Sequence, residues 1–348
     1  MTIRHTAVLI GLVWCFSSFS LQADEPKIDG WREAVLSVSD TESWVQTFEQ
    51  VGGWEVVERA KAKAAWLRLW KLPDTAGYDE VLMANPGTDS GYIRLVQFRG
   101  VPQVQIRSNG QTWETGGIFD LNVRVTDLAA RFAELQARDW QGFGDPVRFS
   151  FGPFVVREWL GRGADGIVFA LIQREAPPLE GWPQMERFSR SFNSTQVVAD
   201  MDASLRFYQD VLGFEVYVET EGPGETPGPN VLGLPHNLAA EISRHTVIVH
   251  PDGANDGSVE LIEFDGLTGR DFADLARPPN LGVLMLRFPV TGTSALADRL
   301  RAAGYPPEAR GRAPLAPYGE VEVLAVRGPN GEWLEFFEDT SGCLPTRC

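Results

Sequence analysis

The chain has 348 residues and a formal net charge of −16, with 47 aspartates and glutamates against 31 lysines and arginines. That acidity argues against nucleic acid or an anionic membrane surface as a partner, because both would repel it. The length suits about two domains. With only 3 cysteines the fold must depend on its apolar core rather than on a disulfide framework.

Residues 1–23 read as an export signal. Arg4 supplies the charge, an apolar run extends from Ala7 to about Phe19, and Leu21-Gln22-Ala23 ends in a small residue before Asp24. The run is short for a bilayer span, which takes about 20 residues. Leu12-Val13-Trp14 ahead of Cys15 is too bulky for a lipoprotein cleavage site. Cleavage predicts a periplasmic or secreted chain with no stable membrane insertion; an uncleaved anchor is the alternative.

Beyond the signal the chain repeats itself. Val38-Ser39-Asp40 matches Val198-Ala199-Asp200; in step with them Val45 meets Leu205, Phe48 meets Tyr208, and Val51 meets Val211. Gly53 then meets Gly213, Trp54 meets Phe214, and Glu55-Val56 meets Glu215-Val216. The unit reads β-α-β-β-β. Strand formers fill 191–198, Asp200 suits a helix N-cap, and Met201, Leu205, Tyr208 and Leu212 form one apolar stripe. Gly213 suits the left-handed residue that ends a helix, and strands follow at Phe214–Glu219, 244–250 and 258–264. A weaker copy starts at Val125-Thr126-Asp127, with Leu128, Phe132 and Leu135 on its helix face. Another runs from Leu284, Leu286 and Phe288 through Thr291 as cap to Leu296, Leu300 and Gly304. Their closing strands are 166–173 and 332–338.

Four modules taken in chain order make two pairs, 27–175 and 184–340. The proline-bearing stretch 176–183 between them reads as a linker. The tail 341–348 holds Cys343 and Cys348, which in an oxidising compartment either bond to each other or stay free.

Ser204-Leu-Arg-Phe-Tyr-Gln-Asp-Val-Leu-Gly-Phe-Glu-Val216 resembles the helix and second strand of vicinal-oxygen-chelate (VOC) proteins, the glyoxalase, bleomycin-resistance and extradiol-dioxygenase superfamily. Gly328-Pro-Asn-Gly-Glu-Trp-Leu-Glu-Phe-Phe-Glu338 resembles that family's last turn and strand. The first half matches through its similarity to the second. The resemblance implies an α+β fold in which paired βαβββ modules curl mixed sheets into small-molecule cups. It also implies a divalent metal held by the first and last strands of each module. The matching positions in the second half are Asn193, Glu260 and Glu335, with Val283 as a departure that removes a ligand. In the first half they are Glu33, Arg94, Asp120 and Ala170, where no metal is expected and Glu33 or Asp120 is expected to pair with Arg94.

Strand alternation puts Glu260, Ile262 and Phe264 on one face and Glu335 and Phe337 on another. If the last two modules pair, both carboxylates enter one cup. They then need a cation, a basic partner or a shared proton. Oxygen ligands favour Mg, Mn or Ca over Zn or Fe. His236, in the loop Pro229–His236, is a candidate for substrate contact or proton transfer, or else a solvated loop residue. His250 either reaches the cup or is a hydrogen-bonded structural residue, and Tyr208 is a further candidate for substrate contact. Glu221–Pro229 is either a mobile lid or a long connection, and Asp252–Gly257 reads as a hairpin turn. Two functions follow as expectations. One is isomerase or lyase chemistry, with Glu260 or Glu335 as general base and a cation or Asn193 stabilising an enolate. The other is metal-free sequestration of a small organic ligand.

Overall fold

The computed structural model describes residues 25–151, 153–182, 185–224 and 226–339. The stretch 1–23 expected to be an export signal, Cys343 and Cys348 therefore lie outside the described residues.

After a short β1 (Lys27–Ile28), four modules follow in order. The first comprises β2 (Glu33–Ser37), α1 (Thr41–Thr47), β3 (Glu55–Lys61), α2 (Ala64–Leu69), β4 (Gly77–Ala84) and β5 (Tyr92–Arg99). The second comprises β6 (Asp120–Val125), α3 (Leu128–Gln136), β7 (Gln141–Gly142), β8 (Val147–Phe151), β9 (Phe154–Arg162) and β10 (Val168–Ala176). The third has β11 (Phe188–Val197), α4 (Met201–Leu205), β12 (Glu215–Gly222), β13 (Arg244–His250) and β14 (Ser258–Phe264). The fourth has β15 (Gly282–Thr291), α5 (Thr293–Ala302), β16 (Ala309–Leu315), β17 (Gly319–Arg327) and β18 (Trp333–Asp339).

Local chemistry explains the module boundaries. Asp40 accepts from the backbone N–H of Glu42 and Ser43 at 3.0 and 3.3 Å, and Asp200 accepts from Ala203 at 2.8 Å. Each caps its helix as the sequence predicts. Gly53 and Gly213 take left-handed φ values of 72° and 80° where the chain turns into the next strand. The fourth module departs from expectation. Thr291 ends β15, and the helix is capped from a distance by Glu338 of β18, which accepts from the N–H of Gly292 at 2.7 Å and of Thr293 at 3.1 Å. A carboxylate at a helix N-terminus also opposes the positive end of the helix dipole.

The modules do not pair in chain order. One sheet runs β16-β17-β18-β15-β2-β5-β4-β3 and joins the fourth module to the first. The other runs β12-β13-β14-β11-β6-β10-β9-β7 and joins the third to the second. In each, the two opening strands meet antiparallel at the centre, with Arg287 opposite Glu33 in one sheet and Thr195 opposite Asp120 in the other. Each sheet thus draws strands from both halves of the chain, across the division at 176–183.

One face of each sheet and the helices share a continuous core that includes Trp44, Phe48, Leu121, Phe207, Leu286 and Phe336. The other face of each sheet forms a cup. The sheets approach closely at Gly91, φ 67°, where an added Cβ would lie 2.1 Å from the Ser191 carbonyl oxygen on β11. Gly91→Ala is expected to destabilise the protein by about 1–3 kcal/mol, because left-handed strain and a backbone clash coincide; a chemical denaturation midpoint checks this.

Candidate functional site

The first cup, between modules one and four, is closed by an ion network. Arg94 binds Glu33 through two hydrogen bonds, Nε to Oε1 at 2.7 Å and one terminal nitrogen to Oε2 at 2.9 Å. Arg287 reaches the same Glu33 at 2.6 Å and Glu335 at 2.6 Å. Trp70, just after α2, donates its indole N–H to Glu335 at 2.9 Å, and the Arg287 guanidinium lies 4.2 Å from the ring centroid of Trp66. Glu33, Arg94, Arg287 and Glu335 are all at most 2% exposed. Burial works to raise Glu33, but the charges of Arg94 and Arg287 outweigh it and hold the carboxyl below its usual range.

The pairing of Glu33 with Arg94 matches the sequence reading. Arg287 escaped it, because the register was read at Val283. The geometry moves Glu335 out of the site it was assigned: it sits in the first cup and Glu260 in the second, since their modules join different sheets. Two guanidinium groups among the four ligand-equivalent positions would repel a metal ion, so this cup does not fit one.

The second cup, between modules two and three, has a polar floor. The alternation Asp120-Leu121-Asn122-Val123-Arg124-Val125 sends the apolar residues to the shared core and the polar ones into the cup. Asp120, Asn122, Arg124, Asn193 and Thr195 are buried, whereas Glu158 on β9 and Glu260 on β14 are partly exposed walls. An amide chain braces the floor. Asn122 donates to the Asn193 oxygen at 2.6 Å, Asn193 donates to the Ser258 hydroxyl at 2.6 Å, and Ser258 donates to the Asn255 carbonyl at 2.7 Å. Asn193, assigned to a metal or substrate, is therefore held within the wall by both ends of its amide. Among the described residues of this floor, Asp120 Oδ1 and Asn122 Oδ1 are buried without a partner.

Three carboxyls here are shifted upward. Burial pushes Asp120 up to about 7, with the Glu260 charge adding and hydrogen bonding by Thr195 opposing. Burial pushes Glu260 up to about 7 against hydrogen bonds from Asn122 and Thr195. Burial and the charges of Glu260 and Asp120 push Glu158 up to about 8. Such values let a carboxyl hold or release a proton near neutral pH.

A metal centre is not assembled at this floor either. Among the described residues no three histidine, cysteine, aspartate or glutamate side chains converge as a ligand set.

The other candidates fall elsewhere. His236 is exposed in the loop that packs Leu232 and Leu234 against the apolar end of this cup. His250 is buried at the end of β13, where its Nδ1 accepts from the Asp252 N–H at 2.9 Å, a structural use of the ring. Tyr208 lies in the shared core behind the sheet, receiving a hydrogen bond from Gln196 at 2.7 Å and donating to Glu332 at 3.3 Å. The apolar stripe of its helix packs, as the sequence suggests, into the core, on the face of the sheet opposite the cup, so Tyr208 does not line the cup. Asp120, Glu158 and Arg124 went unassigned to this site, although the strict polar–apolar alternation of 120–125 is a legible sign of a polar face inside a buried strand.

Residues 192–336 match the model of the Glyoxalase/Bleomycin resistance protein/Dioxygenase superfamily. No curated protein matches the sequence. Among solved structures the chain is similar to glyoxalase I from Zea mays, at 13% identity and a TM-score of 0.59, over 90% of this chain and 94% of that one. It is also similar to a putative dioxygenase from Bacillus subtilis, at 12% identity and a TM-score of 0.53, over 90% and 86% of the two chains. At such identities the likeness shows a shared fold. With the family match over modules three and four and the paired βαβββ sheets across the described chain, residues 192–336 belong to the glyoxalase/bleomycin resistance protein/dioxygenase superfamily and the chain as a whole carries its fold.

Proposed function

We propose that the second cup is an acid–base site for a small organic carbon acid, giving isomerase or lyase chemistry, in a protein exported from the cytoplasm. The observation that carries this reading is the pair Asp120 and Glu260, both facing Thr195 and both pushed by burial to about 7. Two carboxyls sharing one environment at such values favour one proton between them, so one serves as acid while the other is a base. Glu260, on the partly open wall, takes the proton from a carbon next to a carbonyl. The electron pair moves onto the carbonyl oxygen, where protonated Asp120 at the buried floor donates a hydrogen bond to the enolate. Return of the proton to the neighbouring carbon completes an isomerisation; departure of a group β to the carbonyl completes an elimination.

Solvent deuterium exchange into a panel of small carbon acids, followed by NMR, tests this. Glu260→Gln is expected to slow exchange by about 10²–10⁴-fold, the usual contribution of a positioned base, and Asp120→Asn is expected to slow it as well. Unchanged exchange in both variants would defeat the acid–base reading and favour the sequestration reading. Export is supported by the charged, apolar and small-residue order of 1–23. Cell fractionation with amino-terminal sequencing is expected to find a periplasmic or secreted chain beginning near Asp24; a cytoplasmic, full-length chain would overturn it.

A further inference from the structure

Two arginines of the second cup take no part in the acid–base reading. Arg124 on β6 is 8% exposed, its Nε is buried without a partner, and no described acceptor hydrogen bonds its guanidinium. The group is stacked 4.4 Å from the ring centroid of Phe192. Arg174 on β10 repeats the arrangement. Its Nε is also buried and unpartnered, and its guanidinium lies 3.9 Å from the Phe154 ring centroid. β6 and β10 run parallel with Ile172 beside Arg124, so Arg174, two residues on, projects from the same face.

A guanidinium without an acceptor is costly where it has given up water for an aromatic face, as Arg124 has, and the half-buried Arg174 adds a like charge beside it. Burial, and the charge of Arg174, lower the affinity of Arg124 for its proton to about 10. The fold meets this problem differently in the first cup, where each buried arginine has a carboxylate at hydrogen-bond distance. Glu158 is aligned with Ile172 across β9 and β10 and lies within electrostatic reach of Arg124, but no hydrogen bond joins them. Among the described residues no carboxylate hydrogen bonds either guanidinium, although Glu158 and Glu260 lie within electrostatic reach of Arg124.

We propose that Arg124 and Arg174 receive the carboxylate of a small organic anion, and thereby set the substrate class of the second cup. This rests on the acid–base reading and deepens it. A carboxylate accepts from a guanidinium through paired, charge-assisted hydrogen bonds. Asp120 and Arg124 are four residues apart on one strand, roughly 13 Å along the backbone. Both project from the same face of that strand, so a small organic anion held by the guanidinium groups extends along the sheet toward Asp120 and Glu260. Ile172, Ile248 and Ile262 on the same face of the sheet give that anion apolar contacts. The anion lies at the arginine end, and the carbon that loses its proton lies at the Glu260 and Asp120 end.

Calorimetric titration of the mature chain at pH 7 with benzoate, with its neutral counterpart benzamide, and with inorganic phosphate tests the assignment. Benzoate is expected to bind at least tenfold more tightly than benzamide. The R124M/R174M variant is expected to lose that preference while its benzamide affinity stays within about twofold. Should the double variant fold poorly by circular dichroism, R174M alone, at the less buried position, is expected to reduce the preference severalfold. Equal affinity for benzoate and benzamide would overturn the proposal, as would a preference that survives R124M/R174M. Phosphate binding as tightly as benzoate would overturn the choice of an organic carboxylate. The E260Q variant separates the two readings, because it is expected to lose exchange activity and retain the benzoate preference. Loss of exchange in E260Q with no benzoate preference in the parent would sink the anion site alone, and the converse would sink the acid–base reading alone.

Discussion

Replacing Arg287 with methionine is expected to destabilise the protein by about 3–5 kcal/mol, the usual cost of removing one partner from a buried ion pair. Arg287 joins Glu33 on β2 to Glu335 on β18, so its loss leaves Glu335 with only the Trp70 indole and leaves Glu33 with Arg94 alone. A methionine fills much of the space beside Trp66 but cannot solvate either charge. Urea denaturation of the variant checks the magnitude. Adding Glu335→Leu to the variant is expected to recover a substantial part of the loss, because the orphaned carboxylate goes with it. A double-mutant cycle across the two positions would then give a coupling of about 1–3 kcal/mol. A coupling near zero would mean that the network contributes shape rather than charge compensation. Any activity of the second cup is expected to persist in whatever fraction of the variant stays folded, because Arg287 belongs to the other sheet.

The melting temperature is expected to fall as pH rises from about 5 to 8, the opposite of what salt-bridged carboxylates produce. Asp120, Glu158 and Glu260 rise from ordinary values of 3.8, 4.5 and 4.5 to about 7, 8 and 7, and buried Glu332 rises from 4.5 to about 7. With folded values above unfolded ones, the native chain binds more protons than the unfolded chain throughout that window. Stability is therefore fully present below about pH 4 for these groups and is lost as pH rises through the folded values. The carboxyls of the second cup sense one another, so the loss spreads over several pH units rather than forming a step. His250, lowered by burial, works the other way between its folded value and 6.5, but it is a single group. Glu33, Glu114 and Glu338 are held low by their partners, so their contribution disappears only in acid. Together these give a stability maximum near about pH 5. Scanning calorimetry across pH 4 to 9 tests the profile. The D120N/E260Q variant is expected to flatten the fall and to melt higher than the parent at pH 8. A parent profile that climbs from pH 5 to 8 would show that these carboxyls ionise without hindrance and would weaken the acid–base reading as well.

The module itself was legible in the amino-acid order because its signals are local. A capping aspartate, an apolar stripe at helical spacing, a glycine at the helix end and strands of alternating polarity each depend on neighbours within a few residues. Asp200, Gly213 and the strand pattern of 258–264 all behave as that logic requires. Two local readings misled for a physical reason. Tyr208 carries a polar atom on an apolar stripe, and only packing decides whether its hydroxyl meets a ligand or, as here, Gln196 and Glu332. Thr291 is a suitable cap by type, yet Glu338, 47 positions later in the chain than Thr291, arrives at the helix N-terminus through the sheet.

What the sequence by itself determined was four βαβββ modules, their order and the glyoxalase-like character of the last two. Which modules pair was decided only in three dimensions. All four present the same kind of apolar face to a partner, so hydrophobic pattern cannot distinguish neighbours in the chain from the crosswise pairs that form. The choice is written in long-range contacts, such as Arg287 between Glu33 and Glu335 and Thr195 opposite Asp120. That choice sent Glu260 and Glu335 into different cups. One cup is neutralised by its own arginines, and the other keeps carboxyls and guanidinium groups that no salt bridge joins among the described residues.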